Sequence, residues 1–135
     1  MKAQIVNEIT FYVSNQAGQL ARATRALSDA SISINGLLVN EGFGKSVVRV
    51  VVEKEKEKQA LEVLKGMGLD DITLDPILEV WMPSRKGILA EISERLGKVG
   101  INMENIYVTE STAKETLGYI SVADPEEALK VLEQD

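Results

Sequence analysis

Apolar residues recur along this chain at two periods, and the periods alternate. In residues 5–13, Ile9, Phe11 and Val13 occupy every second position, which predicts a strand with one buried face. Asn15-Gln16-Ala17-Gly18 interrupts it, and Leu20, Ala23, Leu27 and Ala30 then follow at helical spacing. Residues 32–39 are apolar and rich in β-branched side chains, a second strand. Glu41-Gly42-Phe43-Gly44 reads as a turn, and residues 46–53, with five valines, as a third strand. Leu61, Leu64 and Met67 stripe a helix over 55–67, and 72–74 suggests a short fourth strand.

The same order then recurs. Residues 77–82 form a strand broken by Pro83-Ser84-Arg85-Lys86-Gly87, and Leu89, Ile92, Leu96 and Val99 line a helix. Residues 101–108 and 117–122 are strands. Asp124-Pro125 opens a last helix, with Asp suited to the N-cap and Pro to the first helical position. The chain reaches Asp135 without a further strand, so the final strand of the second copy is expected to be missing or truncated.

The recurrence holds residue by residue. Gly18 falls on Gly87, Leu20 on Leu89, Ala21 on Ala90, Leu27 on Leu96, Ile32 on Ile101 and Val39 on Val108, all at an offset of 69. One residue is then lost, and Ala60, Leu61, Val63 and Leu64 fall on Ala128, Leu129, Val131 and Leu132. The expected fold is α+β: two ferredoxin-like βαββαβ domains side by side, residues 1–75 and 76–135, each an antiparallel sheet with helices on one face. Asp75-Pro76 lies near the join. Units of this size bury little surface alone, and valines occupy both alternating faces of residues 47–52. Both features predict a homodimer or a larger assembly.

Composition narrows the chemistry. The 135 residues are 44% hydrophobic and 27% charged, with a net charge of −6. The chain contains neither cysteine nor histidine. It therefore lacks disulfides, thiolate nucleophiles and the most common general base and metal ligand. No spaced carboxylate cluster suggests a metal, and no nucleophile motif is visible, so the expectation is a non-enzyme without cofactor. The acidic balance argues against direct nucleic-acid binding. With no long apolar run or leader-like start, the reading is cytoplasmic, with no membrane partner.

Two segments could carry a ligand: Asn15, Gln16, Ala17, Gly18, Gln19 and Leu20, and their counterparts Ser84, Arg85, Lys86, Gly87, Ile88 and Leu89. Each joins a strand to a helix start, where free backbone N–H groups and the helix dipole suit an anion. The alternative is a turn that simply requires glycine. Asn35 and Asn102, at the second strands, are polar residues that could bond a ligand or cap their own turns. Tyr12 and Trp81 occupy equivalent first-strand positions and read as core or interface aromatics. The alternating charges of residues 53–58 read as a solvated helix start.

The motifs Asn15-x-x-Gly18-x-Leu20 and Pro83-x-x-x-Gly87-x-Leu89, each between a strand and a helix, resemble the ACT domain. So do Gly100-Ile101-Asn102-Met103-x-x-Ile106 and the helix start Asp124-Pro125-Glu126-Glu127-Ala128-Leu129. The whole chain is similar to stand-alone tandem ACT proteins, regulatory modules of amino-acid metabolism. The resemblance implies allosteric regulation through an amino acid bound at an interface between ACT domains. It places the ligand against the 15–20 and 84–89 loops, with Asn35 and Asn102 on the neighbouring second strands. It leaves three roles open: a free-standing sensor, the regulatory small subunit of a biosynthetic enzyme such as acetolactate synthase, or a regulator of the glycine-cleavage-repressor type.

Overall fold

The computed structural model describes residues 1–69 and 71–134; Asp70 and Asp135 lie outside the described residues. The strands are β1 (Lys2–Ser14), β2 (Ile34–Glu41), β3 (Lys45–Val52), β4 (Thr73–Pro83), β5 (Asn105–Ser111) and β6 (Glu115–Ser121). The helices are α1 (Gln19–Asp29), α2 (Glu57–Gly66), α3 (Ile88–Lys98) and α4 (Pro125–Glu133), and a 3-10 turn (Lys54–Lys56) precedes α2. The chain folds as two compact units: an N-terminal unit, Asn7–Asp75, and a C-terminal unit made of Met1–Val6 with Pro76–Asp135.

In the N-terminal unit β3 lies between β2 and β1, antiparallel to both. The alternation read in β1 places Ile9, Phe11 and Val13 on one face. They meet Val48, Val50 and Val52 of β3, Ala23 and Leu27 of α1, and Ala60 and Leu64 of α2 in one buried cluster. Val51, on the alternate face, is 2% exposed within the single chain, so its burial needs no partner molecule.

The C-terminal unit repeats the arrangement, with β6 between β4 and β5, again antiparallel. Leu78, Val80 and Met82 pack against Ile92, Leu96, Ala128 and Leu132 of its two helices. Gly118 of β6 belongs to this packing, because a Cβ there would lie 2.6 Å from Met82 Cε. No strand follows α4 among the described residues. The place beside β4 is taken by the first part of β1: Met1, Ala3 and Ile5 pack on this core, and Gln4 Nε2 donates to Glu79 Oε1 at 2.6 Å.

Several boundaries differ from the sequence pattern, each for a local reason. The strands expected at 72–74 and 77–82 are one strand, β4, running through Pro76. The β4–β6 register begins at Leu78, so the missing Pro76 N–H falls outside that ladder. β2 and β5 start later than the apolar runs 32–39 and 101–108. Ile32 and Ile101 instead close the preceding helices: their N–H groups donate back to Leu27 O at 3.0 Å and Leu96 O at 2.9 Å. The residues before them, Ser31 (φ 60°) and Gly100 (φ 78°), hold the left-handed conformation of that helix ending. Asn102 therefore precedes β5 rather than lying in it. The α4 start follows the sequence pattern: Asp124 Oδ1 accepts the Glu127 N–H at 3.1 Å, with Pro125 as the first helical residue.

Candidate functional site

The two strand-to-helix loops share one backbone design. The residue after the strand donates to the facing hairpin: Asn15 N to Gly44 O at 3.2 Å, Ser84 N to Lys114 O at 2.9 Å. The next N–H turns back, from Gln16 to Ser14 O and from Arg85 to Pro83 O. Gly18 (φ 88°) and Gly87 (φ 85°) then enter the helix in the left-handed region, a conformation that favours glycine. Neither α1 nor α3 has a side-chain N-cap bond. The Gln19 and Ile88 N–H groups donate back to Gln16 O and Arg85 O, and the next two N–H groups of each helix, Leu20 and Ala21 or Leu89 and Ala90, remain available to a ligand or to water.

The side chains differ between the loops. In the N-terminal unit, Asn15 Nδ2 is bonded to Glu41 Oε1 at 2.9 Å, and Gln19 accepts from Arg22. Asn15, Gln16, Ala17 and Gly18 are exposed, Gln19 and Leu20 partly so. A hollow of about 570 Å³ in this unit runs along the outer face of α1, past Ala21, Arg25 and Ser28, and the 15–20 loop does not line it.

In the C-terminal unit the loop borders a cleft of about 380 Å³. Five of the predicted residues line it: Ser84, Arg85, Lys86, Ile88 and Leu89. Sequence reasoning missed the others: Met82, Val108, Ser111 and Thr116. Three hydroxyls form a chain along one wall, Ser84 Oγ to Thr116 Oγ1 at 2.7 Å and Thr116 Oγ1 to Ser111 Oγ at 3.0 Å. Each hydroxyl can donate or accept. Arg85 is paired with Glu91 of α3 at 3.0 Å, whereas Lys86 has no ion-pair partner among the described residues. The cleft thus combines an apolar lining, a hydroxyl chain, an uncapped helix start and one unpaired cation. Asn35 is exposed on β2 of the N-terminal unit, and Asn102, also exposed, is not among the residues lining this cleft. The hydroxyl chain depends on strand register, which the sequence indicates only indirectly through the repeat.

The alternate sheet face of each unit carries a polar network that the sequence reading did not single out. Arg49, opposite Thr10 in the β1–β3 ladder, reaches Thr10 Oγ1 at 3.3 Å and the buried Glu8 Oε1 at 3.4 Å. Tyr119, opposite Glu79 in the β4–β6 ladder, donates to Glu79 Oε2. Burial, together with the hydrogen bond to Glu79 and its charge, raises the Tyr119 hydroxyl well above its ordinary pKa.

Residues 76–134 match the ACT domain family model, which places one ACT domain in the chain. An aspartokinase of Corynebacterium glutamicum is 27% identical over 111 residues, 73% of this chain. The chain covers only 26% of that enzyme's length. Among solved structures, a protein of Bacteroides thetaiotaomicron superposes with a TM-score of 0.87 at 19% identity, covering 98% of this chain and 89% of that one. The ligand-free regulatory subunit of aspartate kinase from Thermus thermophilus superposes at 0.74 and 20% identity, covering 98% and 95%.

Proposed function

We propose that this chain is a regulatory module that binds an amino acid, and that the cleft beside the 84–89 loop is its site. The observation that carries the reading is that cleft. A zwitterion's carboxylate suits the N–H groups at the start of α3 and the Lys86 ammonium. Its polar atoms can be matched by Ser84, Thr116 and Ser111, and its carbon skeleton by Met82, Ile88, Leu89 and Val108. On this reading the module regulates and does not catalyse.

The finer features rest on the same footing. The residue-by-residue repeat and the shared loop design support two ACT domains in tandem. The small size of each supports a homodimer or larger assembly, in which the 15–20 loop and Asn35 would complete further contacts to ligand. Likeness to aspartokinase and to an aspartate kinase regulatory subunit favours a partner enzyme of amino-acid biosynthesis over a free-standing sensor.

A thermal-shift screen of the twenty amino acids tests this. A ligand at 100 times its dissociation constant stabilises the fold by roughly 2.7 kcal/mol, a shift on the order of several degrees. If no amino acid moves the transition, the proposal fails. If one does and Thr116→Val folds but binds unchanged, the site lies elsewhere.

A further inference from the structure

We propose that Asn35 is a site of spontaneous deamidation, which converts the start of β2 to aspartate and isoaspartate. The inference is independent of the ligand reading. The chain has six asparagines, and Asn35 is the only one followed by glycine. Its neighbour Gly36 therefore places no side chain in the path of its own backbone nitrogen.

The fold exposes Asn35, beside a buried Gly36, at a weak point of the strand. β2 pairs on one side with β3, and its register shifts between Ile34 and Gly36: Ile34 faces Val52 and Gly36 faces Val51. Asn35 is the extra residue of that bulge, where the ladder is interrupted. Its side chain is exposed, and no hydrogen bond holds its amide among the described residues. Asn7 and Asn15, by contrast, have their amides bonded to Glu57 and Glu41.

The chemistry needs only water. The Gly36 backbone nitrogen loses its proton and attacks Asn35 Cγ. The new N–Cγ bond closes a succinimide, the Cγ–Nδ2 bond breaks, and the nitrogen leaves as ammonia. Water then opens the ring at either carbonyl to give aspartate or isoaspartate. Each event adds one negative charge to the chain. The isoaspartate product also lengthens the backbone of β2 by one carbon, next to the ladder positions Gly36 to Glu41.

The folded chain, held at physiological temperature and mildly alkaline pH, is digested with trypsin and fragmented by mass spectrometry. The peptide of residues 26–45 contains both Asn35 and Asn40, so Asn40 is an internal reference. Asn35 is expected to gain one mass unit faster than Asn40, whose following residue carries a side chain, with isoaspartate detectable by methyltransferase labelling. Asn35→Gln should abolish the signal at that position, and Gly36→Ala should slow it. Equal rates at Asn35 and Asn40 in the folded protein would overturn the proposal. So would conversion of Asn35 in urea but not in native buffer, which would show that the strand protects it.

Discussion

Glu79 and Tyr119 face each other across the β4–β6 ladder, and the tyrosine hydroxyl donates to Glu79 Oε2 at 2.7 Å. Gln4 supplies a donor to the other carboxylate oxygen at 2.6 Å. Tyr119 is fully buried and Glu79 nearly so, so the two bonds replace the water this carboxylate gives up. Tyr119→Phe keeps the ring and removes one donor. It should cost about 1.5–3 kcal/mol, the range for bonds to charged groups, measured by urea unfolding.

The same pair sets a pH dependence. The Tyr119 hydroxyl is raised above its ordinary value of 10.0 in the folded state. Its contribution is therefore complete below that value and is lost as pH rises through it toward the folded-state value. Unfolding free energy measured across the alkaline range should decline above about pH 10 and decline less in Tyr119→Phe. Parallel curves for the two proteins would count against this assignment.

Ser31 occupies a left-handed position that Gly100 fills in the equivalent place of the C-terminal unit. Ser31→Gly should raise stability by roughly 0.5–1 kcal/mol, the relief of Cβ strain less the added freedom of the unfolded chain. Gly100→Ser should lower it by a similar amount. Chemical denaturation of both variants checks the pair.

Asp124→Ala removes the side-chain bond that caps the start of α4, and should cost about 1 kcal/mol. Asp124→Asn should restore most of it. A loss with Asn equal to that with Ala would assign the effect to charge rather than to the cap.

Removing Met1–Val6 should uncover β4 and leave Glu79 without Gln4. Hydrogen exchange should then speed up in β4 and β6, while β3 and the neighbouring part of β1 keep their protection. Uniform loss of protection would show that the two units do not unfold separately.

At the proposed site, Thr116→Val keeps the shape of the wall and removes the hydroxyl that joins Ser84 to Ser111. The ligand-induced thermal shift should shrink, by about 1–3 kcal/mol of binding free energy if a buried ligand group loses its partner. The melting temperature without ligand should stay close to that of wild type.

The sequence pattern was most legible where one residue's environment is local. The apolar periods of β1, α1 and α3, and the Asp124-Pro125 helix start, follow from neighbours a few positions away. Ile32 and Ile101 misled because an apolar β-branched residue suits a helix ending as well as a strand. The strand role of residues 2–4 was not legible, because their partner β4 lies some 75 positions along the chain (Gln4 to Glu79). For the cleft, the loop and its glycine were visible in the repeat. Thr116 and Ser111 were not, because their roles depend on which residues β4 and β5 bring opposite β6.

The borrowed strand separates the order of residues along the chain from their grouping in the folded units. The C-terminal unit is assembled from the first six residues and everything from Pro76 onward, so its pieces are interrupted by another unit. Dividing the chain at the repeat boundary would cut through β4 and leave its second part without the partner that Gln4 provides. A circular permutation that joins residues 1–6 behind the last helix would make that unit contiguous and begin the chain at Asn7. During synthesis, the first part of β1 must therefore stay unpaired on that side until β4, some seventy residues later, has emerged.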